Sequence, residues 1–316
     1  MTKLLLVAVG AGIVSAILSV SVASGSMIGL PLAYLAPLPL FTVGLSLGCL
    51  AAVAAAISGS VVLGALVDPG VGVIYFLSTG LAPIVLCRLA LMWRDDAAGQ
   101  PIWFPAGRLL VWLSGITAAF FTASLVYFIG QDGGLVGTLE RYLLASADLL
   151  ENSGTNGQVF SATAEAIRQS APNGARILPG TLALSWMLSV TLNGVMAQAI
   201  LTRSGRNFRP APDYSNLELP RSLSYVVAGA LILSFLPGSM GFAAGTLAAI
   251  AIWPYFIMGL IVVHVISRRL TARIMVLAAF YLFLVGLGWP AALVVGIGVM
   301  DQWMGLRQQY GAPPGG

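Results

Sequence analysis

Residues 4–22 read LLLVAVGAGIVSAILSVSV, a run of 19 residues without a charged side chain. A bilayer core about 30 Å thick is crossed by about 20 apolar residues in an α-helix. Lys3 before the run and the small residues at 23–25 after it are also typical of a secretory signal peptide. Because the run has the length of a full span, we expect an uncleaved first transmembrane helix.

The composition of the whole chain points to a membrane protein. Of 316 residues, 58% are hydrophobic and 8% are charged. Soluble domains carry about 25% charged residues. So few charges cannot cover a water-facing surface, so lipid must cover most of the outside.

Ten apolar runs follow one another along the chain. They are residues 4–23, 28–47, 48–66, 71–93, 108–130, 179–202, 222–236, 240–265, 272–288 and 290–305. The segment 28–66 can also be interpreted as one helix that begins after Pro39. We predict an all-α fold, a polytopic transmembrane helical bundle of about ten spans with both termini cytoplasmic.

The basic residues support this topology. With the N-terminus inside, the cytoplasmic segments hold 12 of the 15 basic residues. These are Lys3, Arg88, Arg94, Arg108, Arg203, Arg206, Arg209, Arg221, Arg268, Arg269, Arg273 and Arg307. Because cytoplasmic loops carry an excess of Lys and Arg, the pattern favours ten spans in a bacterial inner membrane.

One long hydrophilic segment, residues 131–178, interrupts the apolar runs. It contains an amphipathic helical pattern at 135–150 and a second short one at 159–169, before Pro172. We predict a single integral membrane domain, residues 1–310, with 131–178 as a periplasmic helical insertion. Its helices either lie on the membrane surface or cap an outward-facing cavity. The Pro/Gly-rich tail, 311–316, should be disordered.

Polar residues recur every four positions in the sixth predicted span, at Thr181, Ser185, Ser189 and Asn193. This spacing places them on one helix face. They either line a substrate cavity or join neighbouring helices by hydrogen bonds. If they line a cavity, Asn193→Leu should abolish ligand binding and leave the protein folded.

Three prolines interrupt the second predicted span, at positions 31, 37 and 39. Proline removes a backbone donor, so a regular helix cannot continue through this stretch. Irregular backbone at membrane depth is tolerated only where it is buried in protein or lines a cavity. Tyr34, Pro37 and Pro39 are therefore further candidates for a cavity wall, and a proline-rich approach to the span at the membrane interface is the alternative.

The first and last spans carry two further patterns. Ala8, Gly12 and Ala16 form a row of small residues that allows close helix docking, within the chain or with a separate membrane subunit. Asp301 lies inside the last span, and we predict a structural ion pair with Arg268 or Arg269. Proton coupling is the alternative role for Asp301.

The residues carry no signature of enzyme chemistry. No G-x-S-x-G, H-E-x-x-H or nucleotide-binding motif occurs. Cys49 and Cys87 do not form a C-x-x-C pair, and His264 is the one histidine. We expect no enzyme, cofactor, metal or nucleic-acid partner. The lipid bilayer is the expected partner, and a small-molecule ligand and a membrane subunit or ATPase partner are further candidates.

Several short motifs follow one another along the chain. They are Leu38-Pro39-Leu40-Phe41-x-x-Gly44, Leu192-Asn193-Gly194 with Gln198, Arg209-Pro210-Ala211-Pro212, Leu219-Pro220, Gly259-Leu260-x-x-Val263-His264 and Asp301-x-Trp303-x-x-x-Arg307. Together they resemble the YybS-like family of bacterial membrane proteins, which has no assigned function. That family is similar in its N-terminal half to the S components of energy-coupling-factor vitamin transporters and to the rod-shape protein MreD.

The resemblance implies two hypotheses of different classes. An S-component-like protein would bind or help transport a solute and would dock a partner through small residues of its first helix, which the row Ala8, Gly12 and Ala16 matches. S components have fewer spans than the ten counted here. An MreD-like protein would be a non-transporting envelope scaffold or assembly protein. A polar cavity open to one side would favour the first hypothesis, and tight packing would favour the second.

Overall fold

The computed structural model describes residues 2–152, 157–214 and 217–311. Apolar helices connected by short turns make up most of this part of the chain. They are α1 (Thr2–Val20), α2 (Gly29–Tyr34), α3 (Pro37–Leu47), α4 (Cys49–Leu66), α5 (Pro69–Tyr75), α6 (Leu81–Ala90), α7 (Ala106–Tyr127), α8 (Gly134–Asn152), α9 (Gly157–Arg203), α10 (Ser222–Ser234), α11 (Gly238–Ser267), α12 (Arg273–Leu287), α13 (Pro290–Met304) and α14 (Leu306–Gly311). The all-α class is confirmed. The tail predicted to be disordered lies outside the described residues from position 312 onward.

The described residues contain fewer span-length apolar helices than the ten predicted. Within the described residues, seven helices are long and apolar enough to cross a membrane, and the number rises to eight if the bent pair α12 and α13 is one span. The segment 28–66 contains two of these spans, Gly29–Leu47 and Cys49–Leu66. The count of ten is not confirmed.

Three predicted spans correspond to helices that are too short to cross alone. Helix α10 has 13 residues, and α12 and α13 have 15 each. A bend of 119° separates α12 from α13. The sequence showed three apolar runs here, but hydropathy alone does not report where a helix ends.

Helix α9 is one continuous helix of 47 residues that contains Pro172 and Pro179. The predicted short helix at 159–169 with a break before Pro172 is therefore wrong. Around Pro172, Ala171 and Ala175 are buried, and Arg168 forms an ion pair with Asp148 of α8 at 2.7 Å. Packing against α8 stabilises the helix where proline removes a hydrogen bond.

The chain divides into two compact units. The first comprises residues up to Leu113, Trp186–Leu223 and the residues from Trp253 onward. The second comprises Ser114–Ser185 and Ser224–Ile252. In the first unit, the core packs α1, α3 and α6 around α4. In the second, Phe121 and Phe242 pack edge to face at 6.0 Å.

A β-hairpin connects α6 to α7, and sequence reasoning missed it. Strand β1 (Trp93–Asp95) pairs with β2 (Pro101–Trp103) in antiparallel register. Asp96 Oδ1 accepts hydrogen bonds from the backbone N–H groups of Ala98 and Gln100, both at 2.8 Å. These bonds form the turn between two strands of only three residues.

Candidate functional site

The proline-rich stretch forms a break between α2 and α3 at Leu35 and Ala36. In an unbroken helix, the Leu38 N–H would donate to the Tyr34 carbonyl, four residues back. It donates instead to the Leu35 carbonyl, at 3.0 Å. The Tyr34 carbonyl is therefore available to partners outside its own helix.

Side chains of other helices bind the carbonyls at this break. Ser189 Oγ and Asn193 Nδ2, both on α9, donate to the Tyr34 carbonyl at 2.8 and 2.6 Å. Ser15 Oγ of α1 donates to the Ala36 carbonyl at 2.6 Å, and the Tyr75 hydroxyl donates to Ser15 Oγ at 2.7 Å. Three helices thus hold the broken span in place.

Two of the four residues in the predicted polar row therefore stabilise the fold. Ser189 and Asn193 join α9 to the break. Thr181 is exposed and donates to the Leu178 carbonyl of its own helix at 2.9 Å. Ser185 is half-buried. The Oδ1 atom of Asn193 is buried and has no hydrogen-bond partner among the described residues.

The row of small residues on α1 packs against α4 of the same chain. Ala8 and Ala16 are buried. A Cβ atom added at Gly12 would lie 2.0 Å from Ser58 Oγ and 2.1 Å from the Ala55 carbonyl oxygen. This face is therefore already covered by α4, and a separate subunit cannot dock on it.

Asp301 pairs with a different arginine from the two predicted. Its Oδ2 lies 2.8 Å from Arg307 Nε, and its Oδ1 accepts from the Arg307 backbone N–H at 2.9 Å. Gly305, with φ of 62°, turns the chain back after α13. Neither Arg268 nor Arg269 is its partner, since this turn brings Arg307 to the buried Asp301 side chain, which is 1% exposed.

The Arg307 guanidinium also anchors the loop between α9 and α10. It donates to the carbonyls of Tyr214 at 3.2 Å and Leu217 at 2.6 Å. Gln302 Nε2 donates to the carbonyls of Leu219 and Pro220, at 3.1 and 3.2 Å. The proline-rich loop is thus fixed by side chains of α13 and α14.

A cavity of about 430 Å³ lies within the first unit, beside this loop. Its wall is formed by α3, α6, α7, α9, α11, the start of α12 and the loop. Apolar side chains line most of it, among them Phe41, Leu86, Leu113, Val190 and Leu260. None of the predicted cavity residues, Thr181, Ser185, Ser189, Asn193, Tyr34, Pro37 and Pro39, lines this cavity. The apolar wall also differs from the polar interior that the sequence led us to expect.

Basic side chains form one part of the cavity lining. Arg209, His264, Arg268 and Arg273 all line it, and no carboxylate does. His264 Nδ1 lies 2.9 Å from the Leu260 carbonyl oxygen of its own helix. The cavity therefore combines an apolar body with a positively charged lining at the ends of α6 and α11.

Arg209 is the most deeply buried of these basic residues, at 6% exposure. Its Nη1 donates to the Ala90 carbonyl at the end of α6, at 3.2 Å. Burial lowers the pKa of the Arg209 guanidinium, and the nearby Tyr214 side chain opposes that shift. An arginine remains protonated at neutral pH all the same, so a cation lies in the cavity wall.

In the sequence, Arg209 is one of the basic residues of the predicted cytoplasmic segments, and the motif Arg209-Pro210-Ala211-Pro212 is the available signal for its importance. The sequence does not show that Gln198 Nε2 and Asn207 Nδ2 both donate to the Arg209 carbonyl, at 3.1 and 2.8 Å, and so fix the residue at the cavity. Among the described residues, no cluster of three or more His, Cys, Asp or Glu side chains could hold a metal ion.

A family model described as "Predicted membrane protein (DUF2232)" matches residues 13–302. The chain belongs to this family. No curated protein and no solved structure matches it. The DUF2232 description identifies a membrane protein and names no activity, and the YybS-like name and the likeness to S components and MreD are not confirmed by these comparisons.

Proposed function

We propose that this DUF2232 protein is a solute-binding or transport-related protein of the bacterial inner membrane, and not an enzyme. The observation that carries the proposal is the cavity of about 430 Å³. Sites for small organic ligands occupy roughly 300–1,000 Å³ and are mostly apolar, so the cavity suits a small, mainly apolar solute.

Basic residues at the helix ends around the cavity indicate which side of the membrane the cavity faces. Helix α6 ends two residues after Arg88, and α9 ends at Arg203. Arg268 follows the end of α11 directly. Since cytoplasmic helix ends carry the excess of Arg and Lys, the basic part of the cavity faces the cytoplasm in this proposal.

The contacts of the bent pair α12 and α13 indicate on which side of the membrane the pair begins and ends. Arg273 at the start of α12 lines the cavity together with Tyr214 and Leu217. Arg307, after α13, binds the carbonyls of the same two residues. The pair thus returns to the side from which it starts, so we assign it as a re-entrant hairpin. Both termini are then cytoplasmic if the segment containing α10 completes an eighth crossing.

The alternative function is an envelope scaffold or assembly role, as the MreD likeness implies. Transport coupled to a membrane subunit or an ATPase also requires a docking surface. The small-residue face of α1 is covered by α4, so any partner would bind another surface. A cavity that stays empty in the native membrane would favour the scaffold.

A substitution that fills the cavity tests the proposal. Gly194 lines the cavity, and a Cβ atom there would lie 3.7 Å from the Phe41 ring, an ordinary contact. Gly194→Leu should therefore fill the space without a backbone clash. Gly10→Leu is the matched control, because a Cβ at Gly10 meets nothing within 4 Å.

The measurement is native mass spectrometry of protein released gently from its own membrane. We expect a co-purifying small molecule on the wild type and on Gly10→Leu, and its loss from Gly194→Leu. The same instrument follows added 1-decanol as a defined apolar probe. A wild-type protein that carries no molecule and binds no decanol would overturn the proposal.

A further inference from the structure

The cavity contains a buried positive charge that no described carboxylate pairs with. Arg209 is 6% exposed, and no ion pair formed by Arg209 occurs among the described residues. No carboxylate lines the cavity beside it. Asp301 is engaged with Arg307. Within the part of the chain that the structure describes, the positive charge of Arg209 is therefore left without a counter-charge.

Among the described residues, this side chain makes one hydrogen bond, which leaves most of its donors unused. A guanidinium carries five N–H donors. The Ala90 carbonyl takes one of them, at 3.2 Å. A cation at a helix C-terminus is favourable by itself, so this bond explains why Arg209 approaches α6. It does not explain why the remainder of a charged group is buried against an apolar cavity, since burying a charge is costly unless it is paired.

The surrounding groups increase the positive potential. Arg268 and Arg273 line the same cavity, and both are exposed, so water screens them more than it screens Arg209. A guanidinium binds a phosphate or carboxylate with two parallel hydrogen bonds. The rest of the wall offers apolar contact.

We propose that the solute is an amphiphilic anion whose apolar body fills the cavity and whose phosphate or carboxylate pairs with Arg209. This inference rests on the proposed function and adds the chemical class of the ligand. The anion is either the headgroup of a bilayer lipid or the acidic end of a free single-chain amphiphile. Both supply the same chemistry to the guanidinium.

Two probes of equal chain length separate the charge from the apolar contact. Decyl phosphate and 1-decanol are titrated against the full-length protein in lipid nanodiscs, with adducts followed by native mass spectrometry. The variants are Arg209→Gln, which keeps a donor for the Ala90 carbonyl, and Arg206→Gln as the control. Arg206 is an exposed arginine of the same loop that does not line the cavity.

We expect wild type and Arg206→Gln to bind decyl phosphate at least tenfold more tightly than decanol. Arg209→Gln should lose this preference and bind decanol as the wild type does, which also reports an intact cavity. Equal binding of both probes by the wild type would overturn the inference and leave the proposed function standing. Equal weakening of both probes by Arg209→Gln would assign Arg209 a structural role and overturn the inference as well.

Lipid extraction from the purified protein distinguishes the two sources. A two-chain phospholipid retained by wild type and lost from Arg209→Gln identifies a bilayer headgroup as the anion. A single-chain acid with the same dependence identifies a free amphiphile. Retention of neutral lipid alone would contradict the proposal. Failure of both probes to bind the wild type would overturn the proposed function and this inference together.

Discussion

Two polar regions of the first unit differ in how their hydrogen-bonding groups are satisfied. At the break between α2 and α3, the carbonyls of Tyr34 and Ala36 receive donors from Ser189, Asn193 and Ser15. At the cavity, the guanidinium of the buried Arg209 makes one hydrogen bond and no ion pair among the described residues. The first region is compensated within the chain, with the Oδ1 of Asn193 as its exception. In the second region, the Arg209 guanidinium has N–H donors that no described residue uses and that a ligand can bind.

The difference teaches which polar groups in a membrane protein indicate a ligand. A polar side chain at membrane depth is costly unless it is paired. When the partner lies in the same chain, the pair stabilises the fold. When the pairing is incomplete beside a cavity, a ligand can complete it. Hydrogen-bond satisfaction therefore separates the two roles better than polarity alone.

Removing the anchor of the Arg209 loop should have the largest effect. Arg307→Met leaves the buried Asp301 carboxylate, 1% exposed, without its partner. Breaking one side of a buried ion pair costs about 3–5 kcal/mol. We expect a corresponding fall in the midpoint of thermal unfolding in detergent.

The double variant Asp301→Leu with Arg307→Met provides the control for this experiment. It removes both charges, so it should recover part of the lost stability. A single variant as stable as the wild type would show that the loop does not depend on this pair.

Asn193→Leu should have an intermediate effect, and on stability rather than on binding. It removes the bonds from Nδ2 to the Tyr34 and Ser189 carbonyls, at 2.6 and 2.8 Å. The bond to Tyr34 joins two helices, and such bonds in membrane proteins contribute about 0.6 kcal/mol on average and at most about 1.7. We expect a loss of about 1–2 kcal/mol and unchanged decanol binding.

Thr181→Leu is the matched comparison, since Thr181 is exposed and bonds only its own helix. It should unfold at the wild-type temperature. If Asn193→Leu instead abolished decanol binding at full stability, the cavity hypothesis drawn from the sequence would be restored and the contrast between the two regions would fail.

Tyr75→Phe should have the smallest effect. It deletes the hydroxyl that donates to Ser15 Oγ at 2.7 Å, while Ser15 keeps its own bond to the Ala36 carbonyl. We expect a loss of about 0.5 kcal/mol, measured by thermal unfolding beside Tyr225→Phe. Tyr225 is 71% exposed, so its variant should match the wild type. A loss equal to that of Asn193→Leu would show that the Tyr75 bond is as important as those from α9.

The sequence predicted the features that depend on local pattern. Prolines 31, 37 and 39 indicated an interrupted span, and the structure breaks the helix at Leu35 and Ala36. The spacing of Ser189 and Asn193 indicated one helix face, and both residues bind the same carbonyl. Such inferences succeed because helix geometry fixes which residues share a face.

The features that depend on tertiary packing were not accessible from the pattern. Pro172 does not break α9, since the packing of α8 outweighs a local preference. Arg307 replaces Arg268 and Arg269 as the partner of Asp301 because a turn at Gly305 brings it close. Arg209 became a candidate site residue only once its burial was known. Each depends on contacts between residues far apart in the chain or on how a turn closes.

The bonds from α9 to the Tyr34 carbonyl also fix how α9 is rotated about its axis relative to the cavity. Successive residues of an α-helix are about 100° apart around its axis. Ser189 and Asn193 face the break, and their successors Val190 and Gly194 face the cavity. Turning α9 by one residue in one direction would place Ser189 and Asn193 at the cavity and Leu188 and Leu192 at the break. The bonds at the break therefore fix the rotation of α9 about its own axis. Through that rotation, Tyr34 determines which α9 side chains line the cavity, although Tyr34 does not line it.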